Sequence, residues 1–193
     1  PNVGKSTLMN QLLGERLSII SSKPQTTRKR ILGILNGENY QVIFLDTPGI
    51  LTPNYMLQEK FLDYVKVSVR DADIIIVMID MGNDKQAENT LSDVIVSKVL
   101  SNSKQKKLAV LNKVDLSNEG VLKKLIDKLE NMKTFDAVIP ISAKENYNIE
   151  AVSSTIKDLL PVGPMYYPED QLTDEPERFF VAEIIREKIF ELY

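Results

Sequence analysis

The chain has 193 residues, 43% of them hydrophobic and 26% charged, a composition suited to one globular domain with part of a second. Its 24 Lys and Arg against 27 Asp and Glu leave a net charge of −3, which argues against a surface that is basic throughout but allows a local basic patch. With neither cysteine nor histidine, the sequence excludes a disulfide scaffold, a thiolate zinc site, a Cys nucleophile and a Ser-His-Asp triad.

The first residues, Pro1-Asn2-Val3-Gly4-Lys5-Ser6-Thr7, open on proline rather than methionine and read as a chain cut at the front. Good helix formers after a glycine predict a helix from Ser6 to Leu13. Ile31 to Leu35 and Gln41 to Leu45 predict two short strands, with Asn36-Gly37 as the hairpin turn. Leu57, Phe61, Val65 and Val69 recur at i, i+4 and predict an amphipathic helix over Met56 to Val69. Asp73 to Ile79 is nearly all apolar, the pattern of a central strand covered on both faces. Its apolar run, Ile74 to Ile79, is the longest in the chain and far short of the ~18 residues a membrane-spanning helix needs. Next come a helix over Asp84 to Leu100, a strand over Leu108 to Leu111 and a helix over Val121 to Met132. A strand over Ala137 to Ile141 and a helix over Ile149 to Leu160, ended by Pro161, complete the alternation. Such alternation predicts an α/β fold, a mainly parallel sheet with helices on both faces.

At Pro161 the texture changes. Prolines and acidic residues from Pro161 to Pro176 replace the periodic pattern and predict an extended linker over residues 161–177. Phe179 to Tyr193 then predicts an amphipathic helix, with Phe180, Ile184, Ile185, Ile189 and Leu192 apolar. A helix this apolar needs a surface to pack on. The expectation is therefore a first domain over residues 1–160 and the start of a second over 178–193, with a fold-back onto the first domain as the alternative.

Four constellations carry chemistry. Val3-Gly4-Lys5-Ser6-Thr7 is a glycine turn entering a helix, which aims backbone N–H groups and the helix dipole at a polyphosphate. Lys5 would reach the β- and γ-phosphates and the Ser6 hydroxyl would hold Mg²⁺. Asp46-Thr47-Pro48-Gly49 closes an apolar strand, so Asp46 points into the crevice at a strand's carboxyl end, where it would hold Mg²⁺ through water. Gly49, lacking a Cβ, lets its N–H approach a γ-phosphate. Asn112-Lys113-Val114-Asp115 offers the Asp115 carboxylate to the N1–H and 2-amino edge of guanine, an edge adenine lacks. Ser142-Ala143-Lys144 supplies small residues whose N–H groups reach the purine O6. Each alone also reads as an ordinary helix start or strand-end loop. Their order and their shared position at strand ends and a helix start point to guanosine polyphosphate.

At these residues the chain resembles the P-loop GTPases of the translation-factor-related class. Ser22-Lys23-Pro24-Gln25-Thr26-Thr27-Arg28, Pro168-Glu169-Asp170 and Glu183-Ile184-Ile185-Arg186-Glu187-Lys188 extend the likeness to bacterial ribosome-assembly members of the TrmE-Era-EngA-like family. The resemblance implies a P-loop GTPase domain, followed by a KH-type RNA-binding domain of which only the first helix is present here. Its implied partners are GTP and GDP, small-subunit ribosomal RNA and the 30S subunit. A cytoplasmic monomer is implied, with peripheral association at the inner face of the cell membrane left open. Nucleotide contacts are expected from Pro1 through Thr7, Asp46 through Ile50 (with Thr47 and Pro48), Asn112 through Asp115 (with Lys113 and Val114), and Ser142, Ala143 and Lys144.

By the same resemblance Thr27 is the switch threonine that binds Mg²⁺ and senses the γ-phosphate, and Lys5, Thr27 and Gly49 carry the hydrolysis. Asn2 resembles an asparagine that coordinates K⁺ beside the phosphates. Where Ras-like enzymes place a glutamine to orient the attacking water, this chain has Ile50, which predicts slow intrinsic hydrolysis. Two alternatives stay open. One is a related potassium-dependent GTPase that assists an RNA-modifying enzyme; the other is a nucleotide-binding module with negligible catalysis.

Overall fold

The computed structural model describes residues 2–15, 17, 31–46 and 68–192. In chain order the described elements are α1 (Lys5–Leu13), β1 (Ile31–Gly37), β2 (Tyr40–Asp46), β3 (Ile74–Asp80), α2 (Glu88–Ser92) and α3 (Val94–Asn102). There follow β4 (Lys106–Asn112), a 3₁₀ turn (Val114–Leu116), α4 (Glu119–Asn131), β5 (Ala137–Pro140), α5 (Ile149–Leu159) and α6 (Glu177–Leu192). Most of the helix expected over Met56–Val69 lies outside the described residues, and residues 68–71 are helical. Among the described residues no helix is long and apolar enough to cross a membrane. The chain divides into two units, Pro1–Leu51 with Val162–Tyr193, and Thr52–Pro161.

In the first unit, α1 begins after Gly4, whose φ of 94° lies in the left-handed region that glycine enters without a Cβ penalty. Gly14, at φ 69°, ends the helix the same way. Its inner face is Leu8, Met9, Leu12 and Leu13, all buried. The helix closes on β1 over Gly33, where an added Cβ would lie 2.5 Å from a Leu13 methyl. β1 and β2 pair antiparallel from Ile31 opposite Asp46 to Gly37 opposite Tyr40, so the turn is Glu38-Asn39 rather than Asn36-Gly37. The reason is steric. Gly37 does not take a positive φ; it leaves room for the Tyr40 ring, which an added Cβ would approach to 2.2 Å.

The proline-rich stretch is extended and docked on this hairpin. The Leu172 carbonyl accepts the Ile34 N–H at 2.8 Å, and the Gln171 carbonyl accepts the Asn36 amide at 3.1 Å. Gln41 donates to the Tyr167 carbonyl at 2.9 Å and accepts the Tyr166 N–H at 2.8 Å and the Tyr167 N–H at 3.0 Å. These bonds replace water for backbone that forms no ladder of its own. Phe179 and Phe180 at the start of α6 meet edge to face, 5.3 Å between centroids, and pack on Met9, Leu13, Leu17 and Ile31. Beyond them α6 buries Glu187 (1% exposed) and pairs Glu183 with Arg186. It leaves Val181, Ile184, Ile185, Ile189 and Leu192 between 50% and 76% exposed.

The second unit is built on the parallel sheet β3-β4-β5. β4 is its middle strand, and Leu108 to Leu111 are fully buried, covered on both faces. Val77, Ile79, Ala109 and Leu111 meet Leu125 and Leu129 of α4, with Leu91, Val96 and Leu100 of α2 and α3 packed against them. The helix expected over Asp84–Leu100 is interrupted. Asp93 leaves the helical region at φ −58° and ψ 129°, and its carboxylate accepts the Val96 N–H at 3.1 Å. A side chain that caps the next helix competes with continuation of the previous one. Asp84 caps α2 in the same manner through the N–H groups of Asn89 and Thr90.

Replacing Gly33 with valine drives the new side chain into Leu13, and the expected loss is roughly 1–3 kcal/mol in stability, read as a lowered denaturant midpoint at unchanged slope. Asp93→Ala removes one cap and is expected to cost about 1 kcal/mol in the same measurement.

Candidate functional site

Lys5 and Ser6 are the first two residues of α1, and Asp46 is the last of β2. The Ser6 hydroxyl donates to the Asp46 carboxylate at 2.8 Å, joining positions 40 residues apart. Asp46 is buried, 5% exposed. Burial lowers the Lys5 ammonium below its ordinary pKa, while the Asp46 charge works in the opposite direction. The first-turn N–H groups of α1 have no intrahelical acceptor, and the positive end of the helix dipole adds to them. A helix start of this kind suits an anion.

Ser6 and Asp46 are both oxygen donors, the chemistry Mg²⁺ prefers, and a site with few protein ligands leaves room for the waters and phosphate oxygens it keeps. Among the described residues no cluster of three or more Asp and Glu side chains forms a cation cage. Val3 and Thr7 are half-buried beside this pair in sequence, and Asn2 is exposed at φ 59°. Pro1, Thr27, Thr47, Pro48, Gly49 and Ile50 lie outside the described residues.

In the second unit the geometry joins the two loops expected to handle a base. Asn112 closes β4, is 2% exposed, and its side-chain oxygen accepts the Ala143 N–H at 2.9 Å. The Ile141 N–H donates to the Leu111 carbonyl at 2.8 Å, and the Val114 N–H to the Ile141 carbonyl at 3.2 Å. Asn112-Lys113-Val114-Asp115 is thereby tied to Ser142-Ala143-Lys144. Ser142 exchanges backbone bonds with Tyr147 at 3.2 and 2.9 Å, and its hydroxyl accepts the Glu145 N–H at 3.3 Å. Asp115, within the 3₁₀ turn, is exposed, as is Lys144, which pairs with Glu145 at 3.4 Å. Asn112 therefore faces inward as a brace, while Asp115 faces water.

Lys113 takes a left-handed φ of 64°, and its ammonium reaches the Asp80 carboxylate at 2.6 Å. Asp80 also accepts the Gly82 N–H and the Asn83 amide, each at 2.9 Å. Burial alone would raise the Asp80 pKa. The hydrogen bonds from Lys113, Asn83 and Gly82, with the Lys113 charge, outweigh it and hold the carboxyl below its ordinary value. Asp80 was not among the residues expected here, since the strand expected over Asp73–Ile79 stops one position before it. A signal was present: Asp46 and Asn112 also end apolar strands with a polar side chain.

A glycine turn entering a helix, a strand-end carboxylate bonded to its hydroxyl, and paired strand-end loops on a parallel α/β sheet define the class of P-loop GTPase domains. The model of the family described as 50S ribosome-binding GTPase matches residues 1–113, and the chain belongs to that family. The expected likeness within it is borne out. The chain is 40% identical over 189 residues to the GTPase Era of Alkaliphilus metalliredigens, covering 98% of this chain and 63% of that protein. An Aquifex aeolicus Era variant bound to GDP and AlF₄⁻ superposes with a TM-score of 0.83 at 38% identity, over 97% of this chain and 63% of that one. Era in complex with MgGDPNP and nucleotides 1506–1542 of 16S ribosomal RNA gives 0.84 at 38% identity, with the same coverages. The chain thus spans a little under two thirds of the length of these relatives, 63%.

Asn112→Ala leaves the buried Ala143 N–H without its acceptor, and a loss of about 1–3 kcal/mol in stability is expected in chemical unfolding. The lowered Asp80 carboxyl contributes stability that is present above the ordinary carboxylate pKa and lost as the pH falls through its folded value. Stability measured from pH 7 downward should therefore fall less steeply in that acid window for Asp80→Asn than for the unaltered protein.

Proposed function

We propose that the protein is a molecular switch that binds GTP with Mg²⁺ and hydrolyses it to GDP and phosphate, and that it acts in the cytoplasm on the small ribosomal subunit through ribosomal RNA. The observation that carries the reading is Lys5, half-buried and lowered in pKa, beside the Ser6–Asp46 hydrogen bond at the start of α1. A polyphosphate laid there would add negative charge beside Lys5 and favour its ammonium form. Phosphoryl transfer asks for little covalent help; it needs positioning and the stabilisation of charge spread over phosphate oxygens. Lys5 and the N–H groups of Val3 to Ser6 provide that from the chain. Ser6, Thr27 and, through water, Asp46 would hold Mg²⁺, which when bound neutralises charge across the β- and γ-phosphates. Gly49 donates its N–H to the γ-phosphate, so that the segments on either side of Thr27 and Gly49 respond to its loss.

Ile50 has no group that can orient water, so that task falls to backbone, to a partner or to a cation. K⁺ held by Asn2 is the proposed cation. At the other end Asp115 reads the guanine edge, and the N–H groups of Ser142, Ala143 and Lys144 meet O6. RNA is engaged by a KH-type domain of which α6 is the first helix. The exposed stripe Val181, Ile184, Ile185, Ile189 and Leu192 recurs at i, i+3, i+4, as a helix face that another layer covers does. Support for the reading also comes from the similar Era structures with a nucleotide and an RNA fragment bound.

Asp115→Asn is expected to weaken GTP binding by roughly a hundredfold or more while gaining affinity for xanthosine triphosphate, whose 2-oxo group matches the amide. Equal binding of GTP by the variant would remove the base assignment. Phosphate release should be faster in K⁺ than in Na⁺ at equal ionic strength; equal rates would remove the cation from the mechanism and leave the rest.

A further inference from the structure

We propose that Gln41 is a positioning residue for the Mg²⁺ end of the site: by clamping the extended segment after Pro161 to the hairpin, it holds α1 at the angle that keeps Ser6 against Asp46. The inference deepens the nucleotide-binding reading above and rests on it.

Ser6 and Asp46 stand on different elements, α1 and β2, so their bond at 2.8 Å lasts only while helix and hairpin keep one angle. The packing of Leu13 on Gly33 does not set that angle by itself, because apolar contact has no direction and lets a helix roll and slide. The directional bonds are those of the docked segment. Gln41, half-buried on β2, uses every hydrogen-bonding site of its amide. Its oxygen accepts the Tyr166 N–H at 2.8 Å and the Tyr167 N–H at 3.0 Å. Its nitrogen donates to the Tyr167 carbonyl at 2.9 Å and to the Asn36 side chain at 2.7 Å. Asn36, its register partner across the hairpin, donates in turn to the Gln171 carbonyl at 3.1 Å. A glutamine on a solvated face leaves these sites to water; this one is matched to chain 125 residues away in sequence.

From there the segment is stiffened and aimed. The Gln171 amide donates to the Thr173 carbonyl at 2.9 Å, and the Thr173 hydroxyl accepts the Glu175 N–H at 3.3 Å. The Phe179 N–H then donates to the Pro176 carbonyl at 2.8 Å. The chain so directed sets Phe179 and Phe180 on Met9 and Leu13 of α1 and on Ile31 of β1. The contacts close a ring that runs from Gln41 along the segment to the phenylalanines, through α1 to Ser6 and Asp46, and back down β2. Every member lies within one unit of the fold. A helix tied to one hairpin at two separated points has its angle fixed, and ties that share an element support each other.

The consequence falls on the metal and not on the phosphates. Anion binding uses Lys5 and the first-turn N–H groups, all carried by α1, so a helix that tilts takes them along. Mg²⁺ binding uses Ser6 and, through water, Asp46, and needs both elements in place. Without the clamp the paired arrangement is only partly populated, and the apparent Mg²⁺ affinity falls by that fraction. The base loops belong to the other unit and take no part.

Nucleotide binding by the full-length protein tests this, with Gln41→Ala, Phe179→Ala and the double variant, each titrated with Mg²⁺ and measured again in EDTA. Each single change is expected to raise the Mg²⁺ concentration for half-maximal tightening of GDP binding by roughly fivefold. GDP affinity in EDTA and the preference for GDP over IDP should stay as in the unaltered protein. The double variant should shift the midpoint no further than the larger single, because both act through one segment. An unmoved Mg²⁺ midpoint in Gln41→Ala, a loss of GDP affinity in EDTA as large as with Mg²⁺, or shifts that multiply in the double variant would each overturn the proposal. If Gln41→Ala does not fold, Gln41→Glu keeps the accepted bonds and removes the donated ones; a midpoint raised about twofold is expected, and no change counts against the clamp. Failure of the unaltered protein to bind GDP would sink the GTPase reading itself, a result distinct from Mg²⁺-dependent binding that ignores Gln41.

Discussion

The levelled ends of β3, β4 and β5 are the constraint on which the second unit depends. Asp80 stands beside Asn112, and Leu111 beside Pro140, because the parallel register admits no slip. Leu108 to Leu111 are fully buried on both faces of the sheet. A shift by one residue would exchange the two faces of every strand against packed helices. Burial of apolar side chains thus fixes the register, and the register decides where the first polar residue after each strand emerges. The chemistry-bearing loops inherit their positions from residues that have no chemistry.

The first unit reaches a comparable end by other means. Its described strands are antiparallel, and among the described residues no row of level parallel strand ends is present. A single hydroxyl–carboxylate bond, Ser6 to Asp46, joins the start of α1 to the end of β2, and the missing Cβ of Gly33 lets the helix lie close enough for that bond. Phe179 and Phe180 then cover the far end of α1. The helix that carries Lys5 is consequently held at both ends, by polar contact at its N-terminal start and by aromatic packing at its apolar end. Two different forces therefore fix its position.

The motifs were legible in the sequence because each is local: a glycine before a helix, or a polar residue closing an apolar strand, announces itself within a few positions. The parallel sheet was legible for the same reason, through runs such as Leu108 to Leu111. What escaped depends on contacts between distant positions. Asn36-Gly37 has the composition of a turn, yet Gly37 is spent on the Tyr40 ring, and the corner falls two residues later. Asp93 breaks a continuous helical pattern by capping α3. Asp80 gains meaning only when Lys113 folds back onto it. The period of α6 correctly announced a helix with an apolar stripe, but no periodicity says which side is used; here the phenylalanines and the buried Glu187 face inward and the isoleucines face out.

The two clusters differ in how completely they are satisfied, and that difference bears on how a switch built from them would work. At the base end Asn112, Lys113 and Asp80 have partners within the fold, so the loops are set before any ligand arrives. On the proposed function such a site would discriminate well, since a wrong base leaves a carboxylate unmatched. At the start of α1, partial burial of Lys5 outweighs the nearby Asp46 charge and holds its ammonium below the ordinary pKa. On the proposed function GTP adds negative charge beside it, and part of that charge departs with the γ-phosphate. Binding energy that differs between GTP and GDP has to come from this end, because a ligand shifts a conformational equilibrium only by its differential affinity for the two states. On the proposed function, base selection and nucleotide sensing are therefore separable tasks, one falling to a cluster satisfied within the fold and the other to the start of α1.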